Sequence, residues 1–117
     1  MRTSVQVATC PQSAAPDALA RSGRKASITG VAARRAFSDA TRTVEVHQIE
    51  AGPHAQGFLM VWLPRERLLI EADAYTPGPP NAPTPNPVNL NNLNLAQNID
   101  RLRLDVDRIL PLHGRIV

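Results

Sequence analysis

The chain has 117 residues, 43% of them hydrophobic and 20% charged, with a formal net charge of +3. That length suits one domain, which buries roughly two-thirds of the surface its unfolded chain exposes, and leaves no room for a second. A single cysteine, Cys10, excludes an internal disulfide and a thiolate zinc cluster, and no window nears the roughly 18 apolar residues of a membrane span.

Residues 1–27 are rich in Ser, Ala, Pro and Arg without sustained periodicity and read as a weakly ordered lead-in. They lack the apolar run of about seven or more residues that a signal peptide needs, so a cytoplasmic and a periplasmic location both stay open. Within them, Pro16-Asp17-Ala18-Leu19-Ala20 suits the first turn of a short helix. Much of the positive charge lies in Arg21, Arg24, Lys25, Arg34 and Arg35, with only Asp17 against it. No aromatics are interleaved and no nucleic-acid motif is present, so this is expected to be a solvated basic surface. Neither nucleic acid nor membrane is an expected partner.

Ile28 to Val31 reads as a short strand, and Ser38-Asp39-Ala40 as a turn. From Thr43, Val44 and Val46 alternate with Glu45 and His47, predicting a strand with the valines facing the core and His47 facing solvent; Glu45 and, in a later strand, Glu71 read as equally unremarkable surface residues. It closes at Ala51-Gly52-Pro53, and His54 follows in a loop bounded by Gly52 and Gly57. Phe58 to Leu63 is a continuous apolar run, expected to be a strand buried on both faces. Pro64 to Arg67 forms a turn, and Leu68 to Ala72 the antiparallel partner, with Asp73 at its C-terminal end. Trp62 and Tyr75 are expected to pack, although Tyr75 is close enough to Asp73 to be a minor substrate-contact candidate.

TPGPPNAPTPNP, within the loop of residues 76–88, holds six prolines in twelve residues, which excludes a helix or a central strand. Beyond it, Leu95, Ile99 and Leu102 recur at helical spacing, predicting a helix from about Asn89 to Arg103 with asparagines available as N-caps. Asp105 and Asp107 fall in the following turn and are expected to cap it or to pair with Arg101, Arg103 and Arg108. Arg108 to Leu112 reads as a last strand that leads into His113-Gly114; a residue without a Cβ suits a sharp turn there. Arg115 is expected to stay solvated.

His54, Asp73 and His113 thus stand beside strand ends, where the loops of mixed α/β folds gather ligands. Two histidines and a carboxylate are a familiar first shell for zinc or iron, and each residue also has a capping or structural explanation.

VEVHQIEAGPHAQGFLMVWLPRERLLIEADAYTP, followed by NLAQNIDRLRLDVDRILPLHGRIV, resembles the C-terminal half of a metallo-β-lactamase-fold metallohydrolase. The shared pattern is a strand, a glycine-flanked His loop, a hairpin turning at proline, an Asp after its second strand, a helix, and a terminal strand leading to His-Gly. It runs from about Pro16 to Val117. The resemblance implies an α/β fold that is half of an αβ/βα sandwich, with residues 28–117 as the half-domain. It also implies zinc, as two ions in a complete site, with iron or manganese as substitutes. His54 then corresponds to the last histidine of the first metal site, Asp73 to the bridging carboxylate, and His113 to the terminal histidine of the second. In such enzymes water activated by the metals attacks a carbonyl or phosphoryl centre.

The family's His-x-His-x-Asp-His motif is not in the sequence, whose histidines are His47, His54 and His113 alone. A chain without it lacks two ligands for each metal, so metal binding is expected and turnover by this chain alone is not. Half of a layered sandwich also leaves an apolar sheet face, to be covered by a missing N-terminal half or a second copy of the chain. The alternative is a non-catalytic interaction or structural module that keeps relic ligands and pairs through that face.

Overall fold

The computed structural model describes residues 18–25 and 27–117. Their elements run α1 (Ala18–Ser22), β1 (Arg34–Ser38), β2 (Thr43–Gln48), β3 (Leu59–Leu63), β4 (Leu68–Glu71), α2 (Leu90–Leu102) and β5 (Arg108–Pro111). The strands form one sheet in sequence order, antiparallel from β1 to β4 and parallel between β4 and β5. A parallel pair needs a long crossover, and the proline-rich loop with α2 supplies it. The chain is thus a mixed five-stranded sheet with its main helix against one face. No helix among the described residues is long and apolar enough to cross a membrane.

Most of the lead-in, residues 1–17, lies outside the described residues, and the short helix expected after Pro16 is seen from Ala18 to Ser22. The strand expected over Ile28–Val31 is not formed, and Ile28 is 58% exposed. The first strand lies instead at Arg34–Ser38, all exposed, an edge strand held by its register with β2 and not by any apolar face of its own. The turn between them is a polar one. Asp39 Oδ1 accepts from the Thr41 and Arg42 N–H groups and from the Thr41 hydroxyl, which holds its carboxyl below the usual range.

Burial overturns two expectations about which side chains face inward. His47 is only 3% exposed, on the same face as its cross-strand partner Met60, whereas Val44 and Val46 are half-buried on the opposite face. Both faces of β2 carry apolar residues once Ile49 is included, so alternation alone does not say which one the helix covers. The run before Pro64 is likewise buried on one face: Met60 and Trp62 are buried, Leu59 is exposed, and Val61 and Leu63 are half-buried.

The core gathers Ile49, Met60, Trp62, Leu69, Ala74 and Leu95, with Ile99 and Leu102 packed against it. The predicted stripe of α2 thus seats the helix. Its N-cap is Asn89, whose Oδ1 accepts from the Asn91 and Asn92 N–H groups, and it ends at Arg103 in the left-handed region, with the Leu104 N–H returning to the Ile99 carbonyl. On the other face, Val46, Val61, Ile70 and Leu110 stand opposite one another across four strands, all half-buried. Every fully buried strand residue lies on the helix face.

Candidate functional site

Three separate stretches of chain bring His54, Asp73 and His113 to one place. His54 Nε2 lies 3.8 Å from Asp73 Oδ2, and His113 Nε2 lies 3.0 Å from Asp73 Oδ1. One carboxylate therefore offers a different oxygen to each imidazole. All three side chains are between 41% and 61% exposed, so the cluster sits at the surface.

Each residue is held by its own local device. The loop that carries His54 leaves β2 through Glu50 and Ala51, and α2 grips that backbone: Asn98 Oδ1 accepts from the Glu50 N–H at 2.9 Å, while Asn98 Nδ2 and Asn94 Nδ2 donate to the Glu50 carbonyl at 3.1 and 2.9 Å. At Gly52 a Cβ would stand 3.3 Å from the Ala55 carbonyl oxygen, so glycine keeps the loop tight. The His54 ring meets Phe58 at 5.5 Å between centroids.

Asp73 follows Glu71 in a loop closed by the Glu71 carboxylate, whose Oε2 accepts from the Ala74 and Tyr75 N–H groups at 2.8 and 3.0 Å. Glu71 is 4% exposed, and its Oε1 is buried without a partner among the described residues. Burial pushes its carboxyl above the usual range, with Asp73 adding to the rise, while the Tyr75 and Ala74 N–H groups and His113 pull the other way. His113 follows β5, whose last bond runs from the Leu112 N–H to the Glu71 carbonyl. Gly114 then turns with φ +105°, where an added Cβ would come within 3.1 Å of Pro77 Cδ. Tyr75 is half-buried and packs on the core.

The donors suit zinc in kind but not in number. Two imidazoles sharing a carboxylate match its preferred ligands. Among the described residues, however, no group of three or more His, Cys, Asp and Glu side chains is arranged to hold an ion. Each imidazole faces only one oxygen of the Asp73 carboxylate.

Two further groups differ from their sequence reading. His47 is no surface residue: its Nε2 pairs with Glu45 Oε2 at 2.8 Å, Glu45 takes Arg34 at 2.6 Å, and His47 Nδ1 is buried without a partner among the described residues. Asp105 pairs with Arg67 at 2.7 Å instead of with Arg101, Arg103 or Arg108, because Arg67 at the hairpin turn lies across from it, whereas Asp107 does pair with Arg108, at 3.7 Å, as expected; Arg101 pairs with Glu50 at 3.1 Å. Sequence reasoning passes over Asn94 and Asn98, and its reading of Glu71 as an unremarkable surface carboxylate is overturned by an exposure of 4%. For Glu71 a signal existed: it shares a strand face with Leu69, where a charged residue is out of place unless its oxygens are used.

A scan of known protein families finds none that matches this chain, and no curated protein matches it in sequence.

Proposed function

We propose that this chain carries the C-terminal half of a metallo-β-lactamase-like metallohydrolase site. The observation that supports the reading most is the placing of Asp73 between His54 and His113, with one oxygen toward each. His54 and Asp73 would hold one zinc ion, and Asp73 and His113 a second. When bound, zinc supplies Lewis acidity and a water whose pKa falls to about 7. The chain's own part is to orient: α2 fixes the His54 loop through Asn94 and Asn98, and Glu71 fixes the turn that carries Asp73. Hydrolysis requires further ligands from outside these residues, because each half-site has one imidazole and one carboxylate oxygen. The substrate class is a carbonyl or phosphoryl compound, as the resemblance implies.

Replacing the shared carboxylate tests this reading. Asp73→Asn should abolish zinc uptake in equilibrium dialysis, since both half-sites lose their anionic oxygen; uptake unchanged from the parent chain would refute it.

A second reading is favoured by the other face of the sheet. The half-buried row Val46, Val61, Ile70 and Leu110 suits a protein partner, a second copy of the chain included, and in that case the chain is a non-catalytic module. Sedimentation separates the two: self-association indifferent to zinc and to Asp73→Asn favours the module.

A further inference from the structure

Glu71 is bonded to both ligand-bearing segments at once. Its carboxylate Oε2 closes the loop over Asp73 through the Ala74 and Tyr75 N–H groups, at 2.8 and 3.0 Å. Its carbonyl oxygen accepts from the N–H of Leu112, the residue before His113, at 2.9 Å. The cross-strand partner of Glu71 in the parallel β4–β5 pair is Pro111, and the bond from the next residue, Leu112, is the ordinary slanted bond of a parallel ladder, carried one residue past the end of β5. The side chain is 4% exposed and shares its face with the fully buried Leu69, a position where an apolar residue packs without the cost of burying a carboxylate. The two loop N–H groups are the carboxylate's only partners among the described residues, and its other oxygen has none.

We propose that Glu71 is a positioning residue, whose buried carboxylate shapes the Glu71–Tyr75 turn so that Asp73 faces His113 and His54. The proposal rests on the metal reading of that trio for its functional meaning, but the placement itself is a property of the metal-free chain. Gln at this position keeps an acceptor oxygen at the same reach, whereas Leu fills the volume with no acceptor and no buried charge.

The test compares the parent chain with Glu71→Gln and Glu71→Leu, each first shown to be folded by circular dichroism. Two readouts are taken: zinc affinity by calorimetry and, without metal, the imidazole nitrogen shifts of His113 that report its pairing with Asp73. Leu should weaken zinc binding by about 10- to 100-fold and remove the pairing signature, and Gln should restore both to near the parent values. Zinc binding and His113 shifts unchanged in Glu71→Leu would overturn the proposal, and so would a Gln variant as impaired as the Leu variant. If the parent chain takes up no zinc, the metal reading falls and the His113 shifts alone decide whether Glu71 places Asp73. Should the Leu variant not fold, Glu71→Met serves in its place with the same expectations.

Discussion

Asn98 holds Glu50 by both of its backbone groups, accepting from its N–H at 2.9 Å and donating to its carbonyl at 3.1 Å. The primary amide takes the place of a neighbouring strand just where β2 ends, and it does so from a helix. Because Asn98 is 3% exposed, water has little access to those groups if the side chain is cut back. Asn98→Ala should therefore cost about 1–3 kcal/mol in urea unfolding, the penalty of leaving the Glu50 N–H without its partner while Asn94 still donates to the carbonyl. It should also raise amide exchange across residues 50–54. A loss below about 0.5 kcal/mol would mean that the loop carrying His54 is held by something else.

Two glutamates, the half-buried Glu45 and the buried Glu71, should give opposite pH dependences. The Arg34 hydrogen bond, helped by the one from His47, holds the Glu45 carboxyl below its ordinary value, so its contribution is present above about pH 4.3 and is lost as pH falls through the lowered value. Glu45→Gln should be less stable than the parent at neutral pH, and the gap should close in acid. Glu71 is raised by burial, so the folded chain holds its proton more tightly than the unfolded one and stability falls as pH rises from about 4.3 through the raised value. The stability of Glu71→Gln relative to the parent should rise over that window and level off above it. Urea unfolding with a chelator present, from acid to neutral pH, reads both; parallel curves for either variant would contradict the assignment.

Gly114 offers a backbone test beside His113. At φ +105° an alanine is strained by about 1–3 kcal/mol, and its Cβ would also press on Pro77. Gly114→Ala should lower the melting temperature and displace His113 from Asp73. Imidazole nitrogen shifts identical to those of the parent would show that the turn accommodates the methyl group without moving the ligand.

Much of this arrangement was legible in the sequence, for reasons that particular residues make plain. The stripe Leu95, Ile99 and Leu102 and the Asn89 cap specify α2, because helical spacing and a side-chain acceptor act locally. The hairpin around Pro64–Arg67 was equally clear, since two apolar runs flank a turn. The edge strand Arg34–Ser38 was not, because RRAFS has no buried face and is fixed only by pairing with β2. Alternation places His47 on the wrong face because a sheet covered on one side still carries apolar residues on both, and the choice between faces belongs to the helix. The trio His54, Asp73 and His113 could be named as candidates from their places beside strand ends. Their convergence depends on Asn98, whose bonds to Glu50 span 48 residues and leave no periodic trace, and on Glu71, whose carboxylate closes a local turn that strand alternation does not mark.

The proposed zinc site requires His54 and His113 to act together through Asp73. Zinc titration by calorimetry of the parent chain, His54→Ala and His113→Ala tests it most directly. Measurable zinc uptake by the parent is expected, with a loss of at least about tenfold in affinity in each variant, as when a ligand is removed. A parent chain that releases no heat with zinc, or variants that bind it as the parent does, would contradict it.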